Sequence, residues 1–242
     1  MAGHSKWKNI QHRKGRQDAA RSKEFQKLAK EIYVAAKSGG DSLESNAGLR
    51  LAVDKAKSKS MPKDNIERAI AKATGSQNGE NYDEVRYEGY GAGGVAIMVD
   101  CLTDNLNRTA SSVRSTFTRR GGNLGTDGSV SYLFNRKGNI VIETANISLD
   151  IEEFELEVLE FGIEDVTVED GILQIITEPN DFEQIKKSID SMEVVSEYME
   201  AEVTMLPTME VELDEETTEK VMALIEQLED NDDVQSVYSN LK

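Results

Sequence analysis

Residues 139–205 read NIVIETANISLDIEEFELEVLEFGIEDVTVEDGILQIITEPNDFEQIKKSIDSMEVVSEYMEAEVTM. Strand and helix periods alternate in this run in an order that makes a closed unit. Ile140–Glu143 reads as a strand. Ile151, Phe154, Val158 and Phe161 then recur at a 3-4-3 spacing, which lines one helix face. Strand Asp165–Glu169 meets strand Ile172–Thr177 across Asp170-Gly171, a dipeptide suited to a tight hairpin. Phe182, Ile185, Ile189 and Met192 repeat the 3-4-3 spacing, and a strand over roughly Val194–Met205 ends the run. The order β-α-β-β-α-β is the ferredoxin-like split pattern.

The flanks of this unit are each incomplete. Downstream, Pro207 interrupts, Met209–Leu213 reads as a short strand, and Asp214 caps a helix using Val221, Leu224, Ile225 and Leu228; Val234–Tyr238 closes the chain. Upstream, Glu84–Tyr90 and Val95–Cys101 read as strands. A helix capped by Asp104 or Asn105 points Leu106, Ala110, Val113 and Phe117 inward, and Ser129–Asn135 reads as another strand. Neither flank makes a full two-layer sheet alone, so the economical solution packs them together with the central run inserted between.

Ahead of them lie three helical stretches. The first carries Phe25, Leu28, Ala29, Ile32, Tyr33 and Ala36 on one face. Ser38–Asp41 makes a turn, and Asn46–Lys59 resumes the period with Leu49, Ala52, Val53 and Ala56. Met61-Pro62 breaks it, and Pro62 opens a third helix through Ile66, Ala69, Ile70 and Ala73. Gly75–Asn81 reads as a linker. The expected fold class is α+β. A helical N-terminal domain (1–80) precedes two ferredoxin-like-type α/β domains, one discontinuous (81–137 and 207–242) and one inserted (138–206).

Charge follows the same divisions. The chain has 242 residues and a net charge of −17, yet residues 1–80 sum to +8, residues 81–139 to +1 and residues 140–242 to −26. An acidic chain binds nucleic acid only where its basic residues are gathered on one surface. The candidates in the head are His4, Lys6, Trp7, Lys8, Arg13, Lys14, Arg16, Arg21, Lys23 and Lys27. Residues 4–15 lack a helical period, so they read as a solvated basic terminus or as an arm that contacts nucleic acid. A second candidate surface is the helix after Asn105, where Arg108, Arg114, Arg119 and Arg120 surround serines and no acid lies between Asn105 and Thr126. These arginines either meet phosphate or pair with the acidic inserted region.

Gly89, Gly91 and Gly94 satisfy G-x-G-x-x-G, but a strand rather than a helix follows, which argues against a dinucleotide site. Gly89, Gly91, Gly93 and Gly94 read as a flexible inter-strand loop or one whose backbone approaches a partner closely. Catalytic and metal readings are weak. The two histidines, His4 and His12, lie in the unpatterned head, and the lone Cys101 ends an apolar strand. No catalytic residue, metal or cofactor is expected. One cysteine points to a reducing compartment, and a basic N-terminus with no apolar run behind it does not read as a secretory signal. No run is long enough for a membrane span.

Several stretches together carry a resemblance. AGHSKWKNIQHRKGRQDAARSKEFQKLAKEI, SMPKDNIERAI, YEGYGAGGVAIMVDCLTDNLNRTASSVR and GGNLGTDGSVSYLF closely resemble the YebC/PmpR family, which includes the mitochondrial translational activator of cytochrome c oxidase. The resemblance implies a cytoplasmic protein of three domains, the third inserted in the second. It also implies a regulator of gene expression, which is either a DNA-binding transcription factor or a ribosome-associated factor that relieves stalling at proline-rich sequences. The expected partners are ribosomal or transfer RNA with ribosomal proteins, or promoter DNA. The chain is expected to be a monomer, with a dimer left open. A protein-interaction scaffold using the acidic faces is the remaining class.

Overall fold

The computed structural model describes residues 17–75 and 81–242. These divide into two compact units, one running up to Leu133 and resuming over Thr208–Lys242, the other formed by Phe134–Pro207. The model is mixed α and β, with helices first and two antiparallel four-stranded sheets after them.

Helices α1 (Gln17–Gly39), α2 (Ala47–Ser58) and α3 (Lys63–Gly75) share one core of Leu28, Ile32, Tyr33, Leu49, Val53, Met61 and Ile66. Asn46 ties the first two together. Its Oδ1 accepts the Leu49 amide and caps α2, while its Nδ2 donates to the carbonyls of Ala35 and Gly40 at the end of α1. A Cβ at Gly39 would lie 2.6 Å from that amide nitrogen, so the close approach needs glycine there.

The rest of this unit is a sheet of β1 (Asp83–Tyr90), β2 (Ala96–Thr103), β3 (Asn123–Leu124) and β8 (Val234–Ser239), in the order β3-β1-β2-β8. Helices α4 (Leu106–Arg119) and α7 (Glu215–Glu229) pack on one face of it, burying Ile97, Val99, Val113, Phe117, Leu224 and Leu228. Phe117 is fully buried, and a side chain of that size stabilises by about 2–3 kcal/mol relative to exposure. The two flanking segments therefore build one layer pair. The intervening strands and helices are β4 (Phe134–Glu143), α5 (Ile151–Leu159), β5 (Asp165–Glu169), β6 (Ile172–Thr177), α6 (Phe182–Ser191) and β7 (Glu200–Pro207). Their sheet runs β5-β6-β4-β7 with every pair antiparallel, the ferredoxin-like order.

Three strand expectations and one helix-face expectation change. Ser129–Asn135 is no separate strand. Residues 131–133 form a 3₁₀ turn and β4 begins at Phe134. The cause is Glu88, whose carboxylate takes the amide hydrogens of Gly128, Val130 and Ser131. The last strand of the inserted unit begins at Glu200, not near Val194, because its partner β4 gives way to a 3₁₀ turn at Thr144–Asn146. Met209–Leu213 contributes one bridge, Val211 to Leu241, rather than a strand. Leu106 stays 45% exposed in the first turn of α4, where Thr109 occupies the buried position.

Candidate nucleic-acid interface

Helix α4 starts where the Asn105 side chain accepts the Arg108 amide, and its residues divide into three sides. Thr109, Val113, Thr116 and Phe117 face the sheet. A second side meets α7 and the turn that follows it. Ser112 Oγ accepts from Asn231 at 3.0 Å, and Arg120 Nε donates to Gln227 Oε1 at 2.6 Å. Arg108 donates to Asp104 at 2.7 Å and to Asp233 at 2.8 Å. The third side holds Asn107, Ser111, Arg114 and Thr118, at positions i, i+4, i+7 and i+11, all exposed. Among the described residues the Arg114 guanidinium has no hydrogen-bond or ion-pair partner. Arg119, at the edge between the second and third sides, is exposed, and among the described residues it donates only to the Ser115 carbonyl of its own helix.

Of these arginines, Arg108 pairs with carboxylates of its own unit, Asp104 and Asp233. Asp233 is the centre of this pairing. Its carboxylate accepts from Arg108 and from Thr109 Oγ1 at 2.9 Å, and Lys30 Nζ stands 3.4 Å away. Burial alone would raise the pKa of this carboxyl. The two hydrogen bonds and the lysine more than offset that and hold it below its ordinary value. The Arg108 pKa is raised, first by the hydrogen bond to Asp233 and then by that to Asp104.

The lysines of α1 point to the same turn. Lys23 Nζ donates to the carbonyl and the carboxylate of Asp230, both at 2.9 Å. Lys27 donates to the Glu229 carbonyl, and Lys30 to the Asp232 carbonyl at 2.8 Å. These carbonyls lie at and just beyond the C-terminus of α7, the negative end of the helix dipole. Burial pushes the Lys27 pKa down. Of the candidates on this helix, Lys23 and Lys27 are thus engaged within the chain, while Arg21 is exposed and unpaired among the described residues. His4, Lys6, Trp7, Lys8, Arg13, Lys14 and Arg16 lie outside the described residues.

The glycine segment is shaped by contacts inside the chain. Gly89 is not in a loop. It sits in β1 between Ile97 and Leu124, and a Cβ there would come within 2.5 Å of the Asn123 carbonyl oxygen. Gly91 faces Ile97 and α7, and Gly93, at φ +66°, lies against Leu213. Gly94, at φ +77°, is exposed and faces open space. Sequence reasoning missed Glu88, only 5% exposed, which pins residues 128–131. Burial opposes its charge, and the three backbone donors overcome this and lower its pKa. An isolated acid in a strand carries no signal for such a role.

Residues 5–76 match the model of the TACO1/YebC protein N-terminal domain, and residues 82–241 that of the TACO1/YebC second and third domain. The chain belongs to the TACO1/YebC family. Curated TACO1/YebC relatives include the "Probable transcriptional regulatory protein YrbC" of Bacillus subtilis, 52% identical over 242 residues and covering all of both chains. A probable transcriptional regulatory protein of Bacillus licheniformis is 57% identical over 241 residues, again covering both chains fully. The crystal structure of a conserved hypothetical protein from Aquifex aeolicus superposes with a TM-score of 0.80 at 45% identity, covering 93% of this chain and 91% of that one.

Proposed function

We propose that the chain is a non-catalytic regulator of gene expression that binds nucleic acid through its basic head and the open side of α4. The observation that carries this is the third side of α4. There a free arginine, two hydroxyls and an amide stand exposed without a carboxylate among them, on a helix held firmly by its other two sides. Arginine, serine, threonine and asparagine side chains are the usual donors to phosphate oxygens. The three-domain division enters the reading too, with 1–80 as the grip and the acidic insertion, 138–206, as a separate protein-facing part.

Ribosomal RNA is the favoured ligand, in a cytoplasmic translation factor that relieves stalling at proline-rich sequences. A partner of RNA and basic protein suits a chain with a +8 head and a −26 tail region. Promoter DNA is the second reading, and the names of the curated relatives favour it. Titration of the intact protein against RNA and duplex DNA at several salt concentrations tests the shared claim. With about six phosphates engaged on duplex DNA, the log–log slope is about −5. Absence of measurable affinity for either polymer at low salt would sink it and leave the scaffold reading.

A further inference from the structure

Lys23, Lys27 and Lys30 occupy positions i, i+4 and i+7 of α1 and form one stripe. All three ammonium groups are spent on residues 229–233. That turn offers an array of carbonyls and carboxylates at the C-terminus of α7, which is the kind of anionic surface a phosphate backbone would present. The array has an outer and an inner layer. In the outer layer Lys23 is 46% exposed, and its carboxylate partners Asp230 and Asp232 are 76% and 71% exposed. In the inner layer Lys30 and Asp233 are 22% and 10% exposed, with Arg108 closing the carboxylate from the other side. Exposed pairs contribute little and are screened by salt, so the outer layer is the part that a polyanion can displace.

We propose that the turn Glu229–Asp233 is an autoinhibitory latch on the nucleic-acid-binding surface. The turn holds the α1 lysines in the free protein, and phosphates replace it when nucleic acid binds. The proposal rests on the nucleic-acid reading above and adds its regulation. Unlatching also removes the two outer carboxylates from the path of the incoming backbone, so affinity depends on the state of the turn.

The test uses the full-length chain and a labelled RNA hairpin of roughly 20 nucleotides, with a duplex DNA of similar length in parallel. The wild-type titration tests the nucleic-acid reading by itself, and the ratio of variant to wild type tests the latch. Asp230→Asn/Asp232→Asn should bind about five times more tightly or better, the yield of two lost surface pairs. Glu216→Gln/Glu219→Gln makes the same change of net charge at the far end of α7 and should move affinity by less than about twofold. A second variant, Lys23→Cys/Asp230→Cys, allows the turn to be tied to α1 with a bis-maleimide. Cys101 should not compete for the reagent, being buried with its thiol pKa pushed up to about 12. The bridged form should bind several-fold more weakly than the same variant with each thiol capped singly. Equal affinities of the bridged and capped forms, or an asparagine variant no tighter than the glutamine control, would overturn the latch.

Discussion

Replacing Glu88 by Gln changes one atom and should unpin residues 128–131. Oε2 of Glu88 accepts from Val130 at 2.7 Å and Ser131 at 2.8 Å, and Oε1 accepts from Gly128 at 3.0 Å. An amide has one acceptor oxygen. In its better orientation it keeps Val130 and Ser131 without the assistance of charge, and sets its own N–H against that of Gly128. The Gly128 amide is only part-buried, so leaving it unpaired sits at the low end of about 1–3 kcal/mol, and bonds to a charged acceptor are roughly twice as strong as neutral ones. The expected loss is about 2–4 kcal/mol, or about 5–12 °C in the transition of this unit.

The pH dependence has a definite sign. The folded pKa of Glu88 is lowered from its ordinary 4.5, so the unfolded chain binds the proton more readily. The contribution of Glu88 is therefore complete above the ordinary value and is lost as pH falls through the folded pKa. The gap between wild type and Glu88→Gln should be widest near neutrality and close in acid. Thermal unfolding by circular dichroism between neutrality and acid gives the gap, and hydrogen exchange at Gly128, Val130 and Ser131 locates it. A neutral-pH loss below about 1 kcal/mol with unchanged exchange at those amides would refute the reasoning.

Other expectations follow from single contacts. Arg114→Glu should weaken nucleic-acid binding several-fold and leave the melting temperature within about 2 °C, since its side chain faces solvent; a large melting shift with intact binding would contradict this. Arg108→Glu should instead lower stability, because it sets a carboxylate against Asp233 and Asp104; a fall in the denaturant midpoint measures it. Asp214→Ala removes the cap that accepts the Thr217 amide at 2.9 Å and should lower the midpoint of the same titration. Gly93→Val should destabilise rather than act on a partner, since a Cβ there would lie 2.5 Å from Leu213 at a φ of +66°; a variant with full stability and lost binding would reverse that assignment.

What the sequence revealed, and what it hid, follows from the range of the interactions. The 3-4-3 spacings of Phe154 and Val158, and of Phe182, Ile185 and Ile189, report which face meets the sheet, and each of these side chains is buried. The sheet order of the insertion follows from element order through the topology rules. The start of β4 was hidden because Glu88 decides it from 42 residues upstream, through backbone amides that leave no trace in composition. The candidate site was half legible for the same reason. Charge clustering picks out Lys23, Lys27 and Arg108 together with Arg21 and Arg114, and cannot distinguish a cation facing solvent from one held by Asp230 or Asp233. The pairing depends on α1 and the α7–β8 turn, about 200 residues apart, meeting in the fold.

Crosslinking the protein in cells, and sequencing both the RNA and the DNA recovered with it, tests the proposed binding to ribosomal RNA. Crosslinks should concentrate at discrete positions of ribosomal RNA, reduced by Arg114→Glu and increased by Asp230→Asn/Asp232→Asn. Enrichment at discrete promoters with none on ribosomal RNA would contradict that binding.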